Sequence, residues 1–231
     1  MADFFNSDPK EVARLILVRH GRTQSNQEAR IGTMDEVPID VIGQQQARAV
    51  AERLKVFKAD VLYSSNLLRA QQTAQPISQV CNIPIMLDPD LREFNFGIVS
   101  DKTVPEIKAQ YPEVYEQMQA WLLMGEDQIH ARPNYPGGED IEAFEARMLR
   151  FKSKIIEQHT GQVVIAVTHM AVIKGMLNLV FGRRLTQRMN CTADNTSVTV
   201  IDYHRRVPIL RLFNDIQHLD MKLGFGRVTL L

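Results

Sequence analysis

Cysteine is scarce in this chain. Its 231 residues hold two, Cys81 and Cys191, far apart and with no metal-ligand spacing around them, so neither a disulfide framework nor a cysteine metal site is expected. Both read as buried thiols of a reducing compartment, with a single bridge between them as the alternative. An excess of charge of one sign is missing as well, since 27 basic and 27 acidic residues cancel to a formal net charge of zero. That balance excludes a whole-surface field that gathers nucleic acid or an anionic membrane. Positive potential must then be local, made by a few arginines converging on one pocket. No apolar run approaches the roughly 20 residues of a membrane span, and residues 1–10 are polar and acidic where a signal peptide would be apolar. The expectation is a cytoplasmic protein with neither a membrane nor a nucleic acid as partner. Repeats, linkers and low-complexity stretches are also absent.

What is present suffices for a sizeable core. At 45% hydrophobic and 23% charged residues, the composition is that of a folded chain, read as one domain over residues 1–231. Short apolar, partly β-branched runs predict strands at 14–18 (RLILV), 60–64 (DVLYS), 83–87, 162–167 (QVVIAV), 197–202 and 209–212. Between them, helical spacing marks Ala47, Val50, Ala51 and Leu54, then residues 67–80, where Pro76 should kink or restart the helix. Residues 23–30 open a further helix, with Thr23 or Ser25 as its cap. The stripe Ile141, Phe144, Met148, Phe151 and Ile155 marks a long amphipathic helix, and residues 171–181 another. From 94 to 138 prolines punctuate short helices at 104–110 and 113–123, and this stretch reads as a cap inserted over the sheet's edge. Strands alternating with helices predict a three-layer α/β/α sandwich. Its sheet should be mostly parallel, with an antiparallel C-terminal hairpin.

Ligands of such sheets bind beyond the carboxyl ends of the strands, and the polar residues with chemistry follow strands. His20 comes after the first and His169 after the strongest. Arg69 opens the unit after the second strand, and Glu93 lies in the loop after the third. Together with Arg19 this set suits phosphoryl transfer with neither metal nor cofactor. Arg19 and Arg69 supply bidentate donors to a dianion. A neutral His20 is a competent nucleophile near pH 7. Glu93 can protonate the leaving alkoxide and then deprotonate water, and His169, as an imidazolium, adds a donor. Glu139 reads equally as a helix cap and as a pocket residue. The pairs Arg183–Arg184 and Arg205–Arg206 read as solvated.

The stretches LILVRHGRTQSN (15–26), LYSSNLLRAQQTA (62–74), LREFNFG (91–97), PGGED (136–140), VIAVTHMAVIKGML (164–177) and DNTSVTVIDY (194–203) resemble the histidine phosphatase superfamily, also called phosphoglycerate mutase-like. They occur in that family's order over most of the chain. The resemblance implies a phosphoglycerate mutase-like fold and His20 as the phosphorylated nucleophile. Arg19, Arg69 and His169 would surround the phosphoryl group, with Asn26 in contact and Glu93 as general acid and base. Backbone N–H groups around Gly21 and Met170 would add donors. Two departures alter the pocket wall: Ile98-Val99-Ser100-Asp101 where relatives carry a Trp-Glu-Gly-type stretch, and Met170-Ala171 where they carry two glycines. Arg22, Lys102 and Arg132 are candidates for contacts with the rest of the substrate. The implied activity is a phosphatase of a small phosphorylated metabolite. The alternatives are a phosphoglycerate mutase-type phosphotransferase, which has the same constellation, and a non-catalytic binding protein on the same fold.

Overall fold

The computed structural model describes residues 9–34, 36–123, 133–186 and 190–219. The polar start of the chain and Arg132 lie outside the described residues, as does part of the 94–138 stretch. Six strands form one sheet in the order β3-β2-β4-β1-β5-β6, with β1 Val12–Arg19, β2 Val61–Ser64, β3 Ile85–Leu87, β4 Val163–Thr168, β5 Val198–His204 and β6 Val207–Asp215. β3, β2, β4 and β1 run parallel, and β5 and β6 are antiparallel. The mostly parallel sheet and the C-terminal hairpin are as expected.

Alternation along the central strands sorts the core into two layers. Leu15 and Leu17 of β1, with Val164 and Ala166 of β4, meet Phe144, Met148, Phe151 and Ile155 of α6 (Ile141–Gln158) and Val172, Ile173 and Met176 of α7 (Met170–Val180). Ile16, Val18, Ile165 and Val167 face the other way. They meet Val50, Ala51 and Leu54 of α2 (Val41–Leu54) and Ala70, Ala74 and Ile77 of α3 (Leu68–Cys81). Both faces of β1 and β4 are therefore covered, which is why their sequences are continuous apolar runs.

Several local expectations need correction. α3 runs unbroken through Pro76; the burial of Ala70, Ala74 and Ile77 along one face outweighs the single hydrogen bond that proline removes. The helix expected over 23–30 is one turn, α1 (Gln24–Gln27), capped by Thr23. Asp140, not Glu139, caps α6, accepting from the Glu142 N–H at 2.7 Å. Glu139 instead pairs with Arg147. Cys81 and Cys191 are free and only half-buried, because Cys81 ends α3 and Cys191 lies in a loop. The exposed Arg205 meets Glu11 at 3.1 Å.

Between β3 and α6, helices α4 (Val104–Gln110) and α5 (Pro112–Leu123) bury a separate small cluster, Ile31, Val99, Ile107, Val114 and Met118. Prolines stand in the first turn of each helix, where the missing N–H would have no intrahelical acceptor. Among the described residues no helix is long and apolar enough to cross a membrane.

Candidate active site

β1 and β4 are adjacent and in register, Arg19 opposite Thr168, so the residues that follow them emerge side by side. His20 donates its N–H to the Thr168 carbonyl at 2.9 Å. The imidazole centroids of His20 and His169 lie 5.1 Å apart. After His20 the chain turns against the first turn of α2, where two glycines make room. A Cβ on Gly21 would stand 2.7 Å from the Gly43 carbonyl oxygen, and one on Gly43 2.2 Å from that of Arg22.

The His20 ring is buried, and its Nδ1 is 2.8 Å from the Gly21 carbonyl oxygen. A carbonyl only accepts, so Nδ1 carries the hydrogen and Nε2 keeps its lone pair. Burial first, then the Arg69 and Arg19 charges, hold the His20 pKa well below the ordinary 6.5, against the pull of the Gly21 bond. The ring is therefore neutral at neutral pH.

His169 is also fully buried. Its Nε2 is 2.8 Å from Ser65 Oγ, while Nδ1 has no hydrogen-bond partner. Burial, then the charges of Arg69, His20 and Arg19, push its pKa well below 6.5. Burial and these charges favour the neutral ring.

Arg19 donates from Nη1 to the Ala193 carbonyl at 2.6 Å, leaving Nε buried and unpartnered. Desolvation lowers its pKa to about 10, although the Glu93 and Asp194 carboxylates oppose the shift. Arg69 is buried with Nη1 unpartnered, and its pKa too is lowered, chiefly by desolvation. Buried donors without acceptors are rare and unfavourable. Two of them, Arg19 Nε and Arg69 Nη1, beside the His20 ring mark a place for an anion.

The other expected residues fall into two groups. Asn26 completes a capping box with Thr23. Its Oδ1 accepts from the Thr23 N–H at 3.1 Å and from Asn195 Nδ2 at 3.2 Å, so its amide NH2 is the end left for a ligand. Glu93 Oε1 accepts from the N–H groups of Phe94 at 2.9 Å and Ala171 at 3.2 Å, which leaves Oε2 for chemistry. Met170 opens α7, whose first-turn N–H groups lack intrahelical acceptors. Arg19, His20, Asn26, Arg69, Glu93 and Met170 all line one cavity of about 460 Å³. His169 and Gly21 do not reach its surface. Gly21 is a correction: its N–H is taken by Thr73 Oγ1 at 2.9 Å.

Sequence reasoning passed over the residues that hold this set. Thr73 also donates to the Arg69 carbonyl at 2.7 Å, which ties the loop after His20 to α3. Asn195 Nδ2 donates to the His20 carbonyl at 2.9 Å. Arg147 is buried on α6 and donates to the carbonyls of Asp90 at 2.6 Å and Glu93 at 3.3 Å, and to both oxygens of Glu139. The DNT run at 194–196 was the available signal for Asn195; Thr73 and Arg147 look like ordinary helix residues.

A family model for the histidine phosphatase superfamily (branch 1) matches residues 15–216. Phosphoglycerate mutase-like protein 4 of Arabidopsis thaliana is 30% identical over 230 residues, spanning 96% of this chain and 95% of its own length. The metal-independent phosphoserine phosphatase of the same plant is 31% identical over 218 residues, or 93% of this chain and 86% of its own. The phosphoserine phosphatase of Entamoeba histolytica, solved in complex with phosphoserine, superposes with a TM-score of 0.75 at 28% identity, covering 89% of this chain and 98% of that one.

Proposed function

This chain belongs to the histidine phosphatase superfamily, and from that premise we propose that it is a metal-independent phosphatase of small phosphate monoesters, working through a phosphohistidine on His20. One observation carries the reading: buried donor atoms of Arg19 and Arg69 stand without partners beside a ring whose tautomer leaves Nε2 free. We also read residues 94–138 as a cap inserted into a single domain.

In the first step the ester's phosphate occupies the clamp of Arg19, Arg69, the Asn26 amide and the Met170 N–H. The His20 Nε2 lone pair forms the N–P bond as the P–O bond to the alcohol breaks, and protonated Glu93 gives its proton to the leaving oxygen. In the second step the Glu93 carboxylate takes a proton from water, whose oxygen displaces His20 and releases inorganic phosphate. The dianion also offsets the field of the two arginines, so a proton on His169 becomes favourable only when substrate is bound.

The test is phosphate release from p-nitrophenyl phosphate in EDTA, with acid-labile label trapped on the protein. His20→Ala is expected to abolish both. Glu93→Gln should slow phosphoenzyme formation about 10²- to 10⁴-fold for alkyl esters and far less for nitrophenyl esters. Equal slowing of both would end the acid role. Isomerisation of 3-phosphoglycerate with 2,3-bisphosphoglycerate, faster than any hydrolysis, would replace the phosphatase reading with the mutase one.

A further inference from the structure

We infer that the outer part of the cavity selects an uncharged, ring-bearing leaving group over one that carries a carboxylate. This inference rests on the phosphatase reading above. The buried unpartnered cationic donors of the cavity, on Arg19 and Arg69, stand beside His20. The same cavity has an apolar wall made of Ile31, Phe96, Met118, Trp121, Tyr135 and Met170. The wall is held from behind. Phe96 packs edge-on against Tyr135 at 5.3 Å and against Phe94 at 5.0 Å, and Phe94 continues to Phe144 in the main core at 5.2 Å. Phe96 also rests on Gly32, where a Cβ would come within 2.1 Å of the ring. Such a surface is preformed for a flat apolar group, and the Met170 thioether adds a soft contact beside it.

For a carboxylate entering the same space, two of the cations that line it are already in ion pairs. Arg22 is paired with Asp40 at 2.7 Å. Arg30 is paired with Glu28 at 2.6 Å and Glu106 at 3.1 Å, and it donates to the Asp101 carbonyl at 2.8 Å. Lys174 also has an interaction of its own. The carboxylates that line the cavity, Glu93 and Asp194, repel a second anion. Desolvating a leaving-group carboxylate here therefore lacks the compensation that a dedicated arginine would supply.

The experiment compares kcat/KM for 2-phenylethyl phosphate, O-phosphoserine and 3-phosphoglycerate, all phosphates of primary alcohols, with phosphohistidine trapping from each. The ring-bearing ester is expected to exceed both carboxylate esters by about tenfold or more. Trp121→Ala should shrink that ratio by about five- to tenfold, and Trp121→Phe should hold most of it. Equal or better turnover of O-phosphoserine, with label still on His20, overturns this inference and leaves the phosphatase reading standing. Loss shared equally by all three esters in Trp121→Ala also overturns it. No label from any ester overturns both.

Discussion

The two buried imidazoles make folding stability depend on pH, and the sign follows from their surroundings. His20 and His169 are held well below 6.5 by burial and by neighbouring arginines, whereas in the unfolded chain each takes up a proton near pH 6.5. Below that pH the unfolded state binds more protons than the native state, so stability falls as pH falls, down to the folded-state values. Each ring contributes a slope that approaches about 1.4 kcal/mol per pH unit, or about 2.7 for the pair. His218, held down to about 4 mainly by burial, adds a background common to wild type and variants. Urea unfolding followed by circular dichroism between pH 7.5 and about 5 would measure the slope. His20→Gln and His169→Gln should each remove about 1.4 kcal/mol per pH unit from it below pH 6. Saturating inorganic phosphate should flatten the wild-type curve, since the anion offsets the arginine field. A slope unchanged by both substitutions would mean that the folded rings already accept protons, and the case for a neutral nucleophile would fail.

Thr73→Val strands the buried Gly21 N–H and should lower unfolding free energy by about 1–3 kcal/mol, while Thr73→Ser keeps most of it; equal losses would refute the bond. Arg147→Lys cannot reach the carbonyls of Asp90 and Glu93 and both Glu139 oxygens together. It should lower kcat about tenfold for alkyl esters, with a smaller change in KM and a smaller effect on nitrophenyl esters; a uniform loss would mark Arg147 as merely structural. Arg206→Gly should raise stability by about 0.5–1 kcal/mol, because Arg206 holds φ 73° in the two-residue turn between β5 and β6. A lowered melting temperature would refute that.

The layers and the position of the chemistry were legible because they rest on one-dimensional signals. The runs at 14–18 and 162–167 are apolar without interruption since both sheet faces are covered, and His20 and His169 come directly after the strands that contain them. The failures have a shared cause. Pro76 obeys packing over backbone preference. Gly21 loses its expected role to a hydroxyl that arrives from another helix, and Glu139 turns to an arginine eight positions on. The aromatic wall escaped notice as well, because Phe96, Trp121 and Tyr135 are distant in sequence and meet only around the cavity.

The hydrogen-bonded pairing of β1 with β4 has a consequence of its own. Adjacent strands repeat at about 4.8 Å, so the sheet itself acts as a ruler between the two imidazoles. Backbone hydrogen bonds hold that spacing, and a slip of one residue along the neighbouring strand would turn core side chains to the wrong layer. On the proposed reading of residues 94–138 as a cap, substitutions there would change substrate preference and leave this backbone spacing as it is.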